Sequence, residues 1–170
     1  MFESCRGRRI LILGLGNILL RDEGVGAHVA ALLQKEPLPA DVEVVDGGTA
    51  ALDAILLAQR AEKLIVIDAL RAGQKPGTIY RAKFRAGEED KLAEILAGQG
   101  GSRISLHQVG LIDALAVAER LNCVPEEIVI IGVEPAEVGY GLELTDEVEQ
   151  KIPEIIDTVV KEIEDAVHTE

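Results

Sequence analysis

The chain has 170 residues, 48% of them hydrophobic and 28% charged, a size and balance that fit one globular domain spanning residues 1–170 with a core of its own. Its formal net charge of −13 repels polyanions, and two Phe, two Tyr and no Trp leave little to stack on bases, so these numbers argue against a nucleic-acid partner. Two cysteines, Cys5 and Cys123, offer neither a metal-ligand spacing nor a disulfide framework, and reduced thiols in the cytoplasm are the simplest account of them.

The chain opens with a stretch that mimics an export signal. Residues 6–20, RGRRILILGLGNILL, combine basic residues with an apolar run. Asn17 interrupts the run, Asp22 and Glu23 end it, and no small-residue cleavage site follows. The run is also too short to span a bilayer, so no membrane insertion is expected. The reading is a flexible extension over residues 1–8, then a buried first strand over 9–14.

Apolar runs then alternate with helical patterns, the mark of an α/β fold. A helix is predicted over 24–36, with Val25, Val29, Leu32 and Leu33 at helical spacing. VEVVDGG, from Val42, reads as the second strand, and residues 50–61 as a helix with Leu52, Ile55, Leu56 and Gln59 along one stripe. KLIVIDAL, residues 63–70, is unbroken enough to be buried on both faces of a sheet. KPGTIYRAKF, residues 75–84, opens on a Pro-Gly turn and alternates polar with apolar residues, which suits an edge strand, possible as an antiparallel one. A short helix over 88–98 and a loop over 99–102 come next. A helix over 108–122 is expected to turn Val109, Ile112, Leu115, Ala116 and Leu121 inward, and EIVIIGV, residues 127–133, reads as the fifth strand. The last helix, over 146–167, carries an apolar stripe from Val148 to Val167, and Pro153 either kinks it or begins its main segment.

The chemistry starts at GLGNILLRDEGVG, residues 14–26. A dinucleotide loop would need glycine at its third position, where Leu19 stands, and two acids at the helix entrance would oppose a pyrophosphate. Acids at a helix start also have a structural explanation, because they complement the helix dipole and cap free N–H groups. Asp22 can be read that way. Asp68 is different: it closes a wholly apolar run, where a carboxylate needs a partner. If the second and third strands lie on opposite sides of the first, the winding reverses beside Asp68, and Glu23 and Asp68 converge on one crevice outside the strand ends. Of the three histidines, His28 and His168 read as ordinary surface residues, whereas His107 sits at a helix start after a glycine-rich loop. An imidazole with two carboxylates suits a divalent ion such as nickel or zinc with open positions. Neither HExxH nor GxSxG is present, which argues against a zincin or a serine hydrolase.

GLGNILLRDEGVG, VDGGTA, IVIDAL with PGTI, SLHQVGL and IIGVEP, in that order from about Arg9 to Thr145, together resemble the hydrogenase maturation proteases. That resemblance implies a three-layer α/β/α sandwich around a five-stranded mixed sheet of order 2-1-3-5-4, strand 4 antiparallel. It implies a peptide hydrolase that removes the C-terminal extension of a [NiFe] hydrogenase large-subunit precursor after nickel insertion. Carried over position by position, it gives Glu23, Asp68 and His107 as the metal-contacting and catalytic residues, and Asp46, Gly47, Gly48 and Thr49 as the specificity-linked substrate region. The nickel is expected to belong to the substrate, with zinc or cadmium able to take its place in a crystal. Asp46 is a candidate general base. The alternative carried alongside is a non-catalytic metal-checkpoint or chaperone module using the same crevice.

Overall fold

The computed structural model describes residues 9–58, 61–85, 87–88 and 106–167. Five strands, β1 (Ile10–Leu15), β2 (Val42–Gly48), β3 (Lys63–Ala69), β4 (Ile79–Arg85) and β5 (Glu127–Val133), form one sheet in the order β2-β1-β3-β5-β4. The first three and β5 run parallel, and β4 pairs with β5 antiparallel. Strand β4 therefore takes the edge position and orientation that its alternating sequence suggested. The winding reverses between β1 and β3, which makes the carboxyl ends of those two strands the expected place for a ligand.

Alternation along the strands divides the core in two. Leu11, Leu13, Leu15, Leu64, Val66, Ile128 and Ile130 turn to one face, against α2 (Ala51–Leu57) and α3 (Leu106–Arg120). Ile10, Ile12, Ile65, Ile67, Val129, Ile131 and Val133 turn to the other, against α1 (Val25–Leu33) and α5 (Ile152–Val167). Three layers result, helices on both faces of a sheet whose central strands are buried throughout.

Several predicted positions shift. The first helix is shorter than 24–36, because a 3₁₀ turn over Arg21–Gly24 precedes it, and Leu32 is exposed beside the buried Leu33. In the second, Leu52 is exposed while Ala51, Ala54, Ile55 and Ala58 face the core. In α3, Leu111, Ala114, Leu115 and Ala118 make the buried stripe, and Ala116 and Leu121 face outward. The side chains of Val109 and Ile112, also expected inward, lie outside the described residues. The alanines are buried because α2 and α3 pack on each other and need thin contact faces. The last helix is two segments, α4 (Asp146–Glu149) and α5, with Pro153 in the first turn of the second, where its missing N–H costs nothing. The helix expected over 88–98 falls almost wholly outside the described residues, as do the extension over 1–8 and the loop at 99–102. Among the described residues, no helix is long and apolar enough to cross a membrane.

Candidate active site at the carboxyl edge of the sheet

Glycines bring the first helix unusually close to the sheet. A Cβ on Gly26 would stand 2.1 Å from the Ile67 carbonyl oxygen and 2.2 Å from that of Leu15, and one on Gly14 would stand 2.2 Å from the Gly26 carbonyl oxygen. Gly16, with φ 131°, would meet the Glu23 carbonyl oxygen at 1.9 Å. The G-x-G that resembles a phosphate loop is thus a packing device: it lets backbone touch backbone where α1 crosses β1 and β3. The turn carrying Glu23 is thereby pressed against β3.

Asp68 lies on β3 and is 4% exposed. Its Oδ1 accepts the Ala69 N–H at 2.8 Å, and its Oδ2 is buried with no hydrogen-bond partner. Burial pushes the carboxyl up to about 7; the Ala69 N–H opposes this, and the charge of Glu23 adds to it. A half-satisfied buried carboxylate beside a second acid is expensive to maintain, and it leaves one oxygen able to accept a further partner. Among the described residues, no three His, Cys, Asp or Glu side chains form a ready metal cluster. His107 lies in the first turn of α3, and its side chain is outside the described residues. Because α3 leads into β5, which runs parallel to β3, its first turn belongs to the same carboxyl edge as Asp68.

Asp46, Gly47, Gly48 and Thr49 end β2 on that same edge, one strand beyond β1. Asp46 is exposed, and its Oδ1 accepts the Gly48 N–H at 2.9 Å, bracing a turn in which Gly48 takes φ 50°. Across β1, at about 4.8 Å per strand, Asp46 stands roughly 10 Å from β3.

Asp22 is not a helix cap. It is fully buried and accepts four hydrogen bonds: Ala136 N–H at 2.9 Å, Glu137 N–H at 3.0 Å, Thr145 N–H at 2.8 Å and the Thr145 hydroxyl at 2.8 Å. It clamps the loop after β5 to the turn that carries Glu23. Arg21, held at φ 51°, completes the joint, donating its N–H to the Gly141 carbonyl at 2.9 Å and pairing with Glu137 at 2.8 Å. Glu134 plays a matching part, accepting N–H groups of Ala72 and Gly73 and the Tyr80 hydroxyl, and so pinning the β3–β4 connection. The Tyr80 hydroxyl is driven well above its ordinary value by burial and by that carboxylate. Sequence reasoning missed both tethers. The rule that flagged Asp68, an acid closing an apolar run, applies equally to IIGVE and would have found Glu134. His28, expected at the surface, is half-buried with its Nε2 unpartnered.

Comparison with known proteins fits this architecture. The family model for hydrogenase maturation protease matches residues 27–162. The hydrogenase expression/formation protein HupD of Rhodobacter capsulatus is 36% identical over 157 residues, which cover 91% of this chain and 71% of that protein. The chain spans about two thirds to three quarters of the length of the HupD proteins it matches. The hydrogenase maturating endopeptidase HybD from E. coli superposes with a TM-score of 0.79 at 32% identity, over 93% of each chain. The [NiFe] hydrogenase maturation protease HybD from Thermococcus kodakarensis does so with a TM-score of 0.67 at 30% identity, over 90% of this chain and 97% of that one. With a family model covering most of its length and neighbours that share its strand order and its sequence, the chain belongs to the hydrogenase maturation protease family.

Proposed function

We propose that this chain is the endopeptidase that removes the C-terminal extension from a [NiFe] hydrogenase large-subunit precursor, and that it acts once nickel is in place. The nickel is part of the substrate. Glu23 and Asp68, with His107 from the first turn of α3, complete the coordination of that ion, and Asp46–Thr49 contact the substrate polypeptide.

The observation that carries this reading is the buried, unpartnered Oδ2 of Asp68 beside Glu23, in a member of a family of maturation endopeptidases. A carboxyl titrating near 7 exchanges its proton for a cation at little cost in the neutral range, and a divalent ion would relieve the repulsion between the two acids. Nothing else among the described residues claims that oxygen. The donor set, two carboxylates and an imidazole, suits a borderline divalent metal held elsewhere by thiolates. The glycine contacts at positions 14, 16 and 26 fix the spacing of Glu23 to β3, so the ion meets a preformed edge.

Incubation of the purified chain with nickel-loaded and nickel-free precursor tests this directly by mass spectrometry of the large subunit. Loss of the C-terminal peptide from the loaded form alone is expected. A stable complex without cleavage would instead identify a non-catalytic checkpoint module.

A further inference from the structure

Four of the most exposed large apolar side chains in the described structure lie on two segments joined beside the candidate site. Tyr140 is 95% exposed, Leu142 63%, Leu19 57% and Ile18 47%. Leu20 and Gly141 form an isolated parallel bridge, with the Gly141 N–H donating to the Leu19 carbonyl at 3.0 Å. Leu19 therefore runs alongside Tyr140, and Leu142 follows one residue past the bridge. The ridge adjoins the Arg21–Gly24 turn that holds Glu23, and the four bonds that Asp22 accepts from Ala136, Glu137 and Thr145 tie the two segments to each other. Such display is not accidental looseness: an exposed apolar cluster on a rigid support is the form of an interaction surface.

Its surroundings select the partner. Glu137, Glu143, Asp146 and Glu147 line an adjoining hollow of about 470 Å³, and among the described residues the one cation lining it, Arg21, is already paired with Glu137. A second copy of this chain would bring the same acids against themselves, on top of a net charge of −13 each. An anionic membrane would be repelled likewise. An apolar patch bordered by Lys and Arg is the complement.

We infer that the ridge of Ile18, Leu19, Tyr140 and Leu142 docks the folded body of the large-subunit precursor through an apolar surface rimmed with basic side chains. This rests on the reading of the chain as the processing endopeptidase. The ridge is separate from Asp46–Thr49, at the end of β2 and the turn after it, and it sets the precursor beside Glu23 before the peptide is cut.

The test measures binding of intact precursor by interferometry and KM for processing of nickel-loaded precursor, using the full chain. Tyr140→Ser with Leu19→Ser should raise Kd and KM by about tenfold or more, with the thermal midpoint little changed because both side chains are exposed. Leu121→Ser, at an equally exposed leucine just past the far end of α3, should match wild type. Rising salt should weaken wild-type binding, as complementary charge requires. Wild-type Kd and KM in the double variant would overturn the inference. So would capture of anionic vesicles, or self-association, that the double variant abolishes. If wild-type chain fails to cut loaded precursor, the function proposed above fails, and the Kd comparison still decides the docking surface.

Discussion

The two ends of β3 handle buried charge in opposite ways. At its start, Lys63 is 3% exposed and fully engaged: Nζ donates to the Glu162 carbonyl and carboxylate at 2.8 Å each and meets Glu127 at 2.9 Å. Arg81 pairs with the other Glu162 oxygen, and Lys83 holds Glu127 at 3.0 Å. Burial would raise the Glu162 carboxyl, but the bonds from Arg81 and Lys63 outweigh it and hold it below its ordinary value. Glu127 behaves alike, with Lys63 and Lys83 outweighing its burial. Five residues further on, Asp68 has one satisfied oxygen, one orphan and an acid for a neighbour, and its carboxyl rises to about 7. One end spends its charges on holding the sheet to α5; the other keeps a charge unsatisfied. A single strand thus carries a fully paired cation at one end and a half-satisfied carboxylate at the other.

The sharpest way to break the comparison is at Asp68. Asp68→Asn should lower processing of loaded precursor by about a thousandfold or more, since the orphan oxygen no longer carries charge toward a metal. The same substitution should stabilise the fold above pH 7 by about 2 kcal/mol, the relief of a buried charge offset in part by an unpaired amide. A functional carboxylate predicts the loss of activity and the gain in stability together; a structural one predicts neither. Urea titrations across pH read the second. Because the folded value is raised from 3.8 to about 7, the contribution of wild-type Asp68 is fully present below 3.8, falls as pH rises, and is gone above about 7. The advantage of the variant should therefore fade as pH falls from 7 toward 4.

Lys63→Ala comes next. It strands Glu162 and Glu127 and should cost about 3–5 kcal/mol in denaturant unfolding. The two glutamates titrate below their ordinary values, so their contribution stands at neutral pH and is lost as pH falls through those lowered values, the opposite window from Asp68. Asp22→Ala should follow at about 2–3 kcal/mol, since three N–H groups and a hydroxyl lose their acceptor in a loop that water can partly reach. Lys83→Ala should be smallest, below about 1 kcal/mol, because its side chain is nearly half exposed and Glu127 keeps Lys63. A ranking in which Lys83 outweighed Lys63 would dissolve the contrast.

Some of this was legible in the letters and some was not. The full strand order came only with the family resemblance. The edge place of β4 follows from its alternating pattern, and the position of Asp68 from an acid that closes an apolar run. Both are local signals that survive folding because they set which faces are wet. The clamps were not legible. Asp22 acts on residues 114 to 123 positions away, so nothing near it in sequence distinguishes a buried acceptor from an exposed helix-dipole partner. Lys63 and Glu162 are 99 positions apart, and only the packing of α5 on the amino end of β3 brings them together. On α2 and α3 the spacing places Ile55 and Leu115 correctly but not Leu52, Ala116 and Leu121, because close helix contact selects for alanines at Ala54, Ala114 and Ala118.

Gly26 acts as a gauge. With the carbonyl oxygens of Leu15 and Ile67 about 2 Å from where its Cβ would stand, the gap between the Glu23 turn and β3 is set by bare main chain and by no rotamer. Core side chains can be exchanged and repacked without altering that distance. A single added methyl at position 26 would lift the whole turn, and the first property to drift would be the bite of two carboxylates on an incoming ion, well before the fold itself gave way.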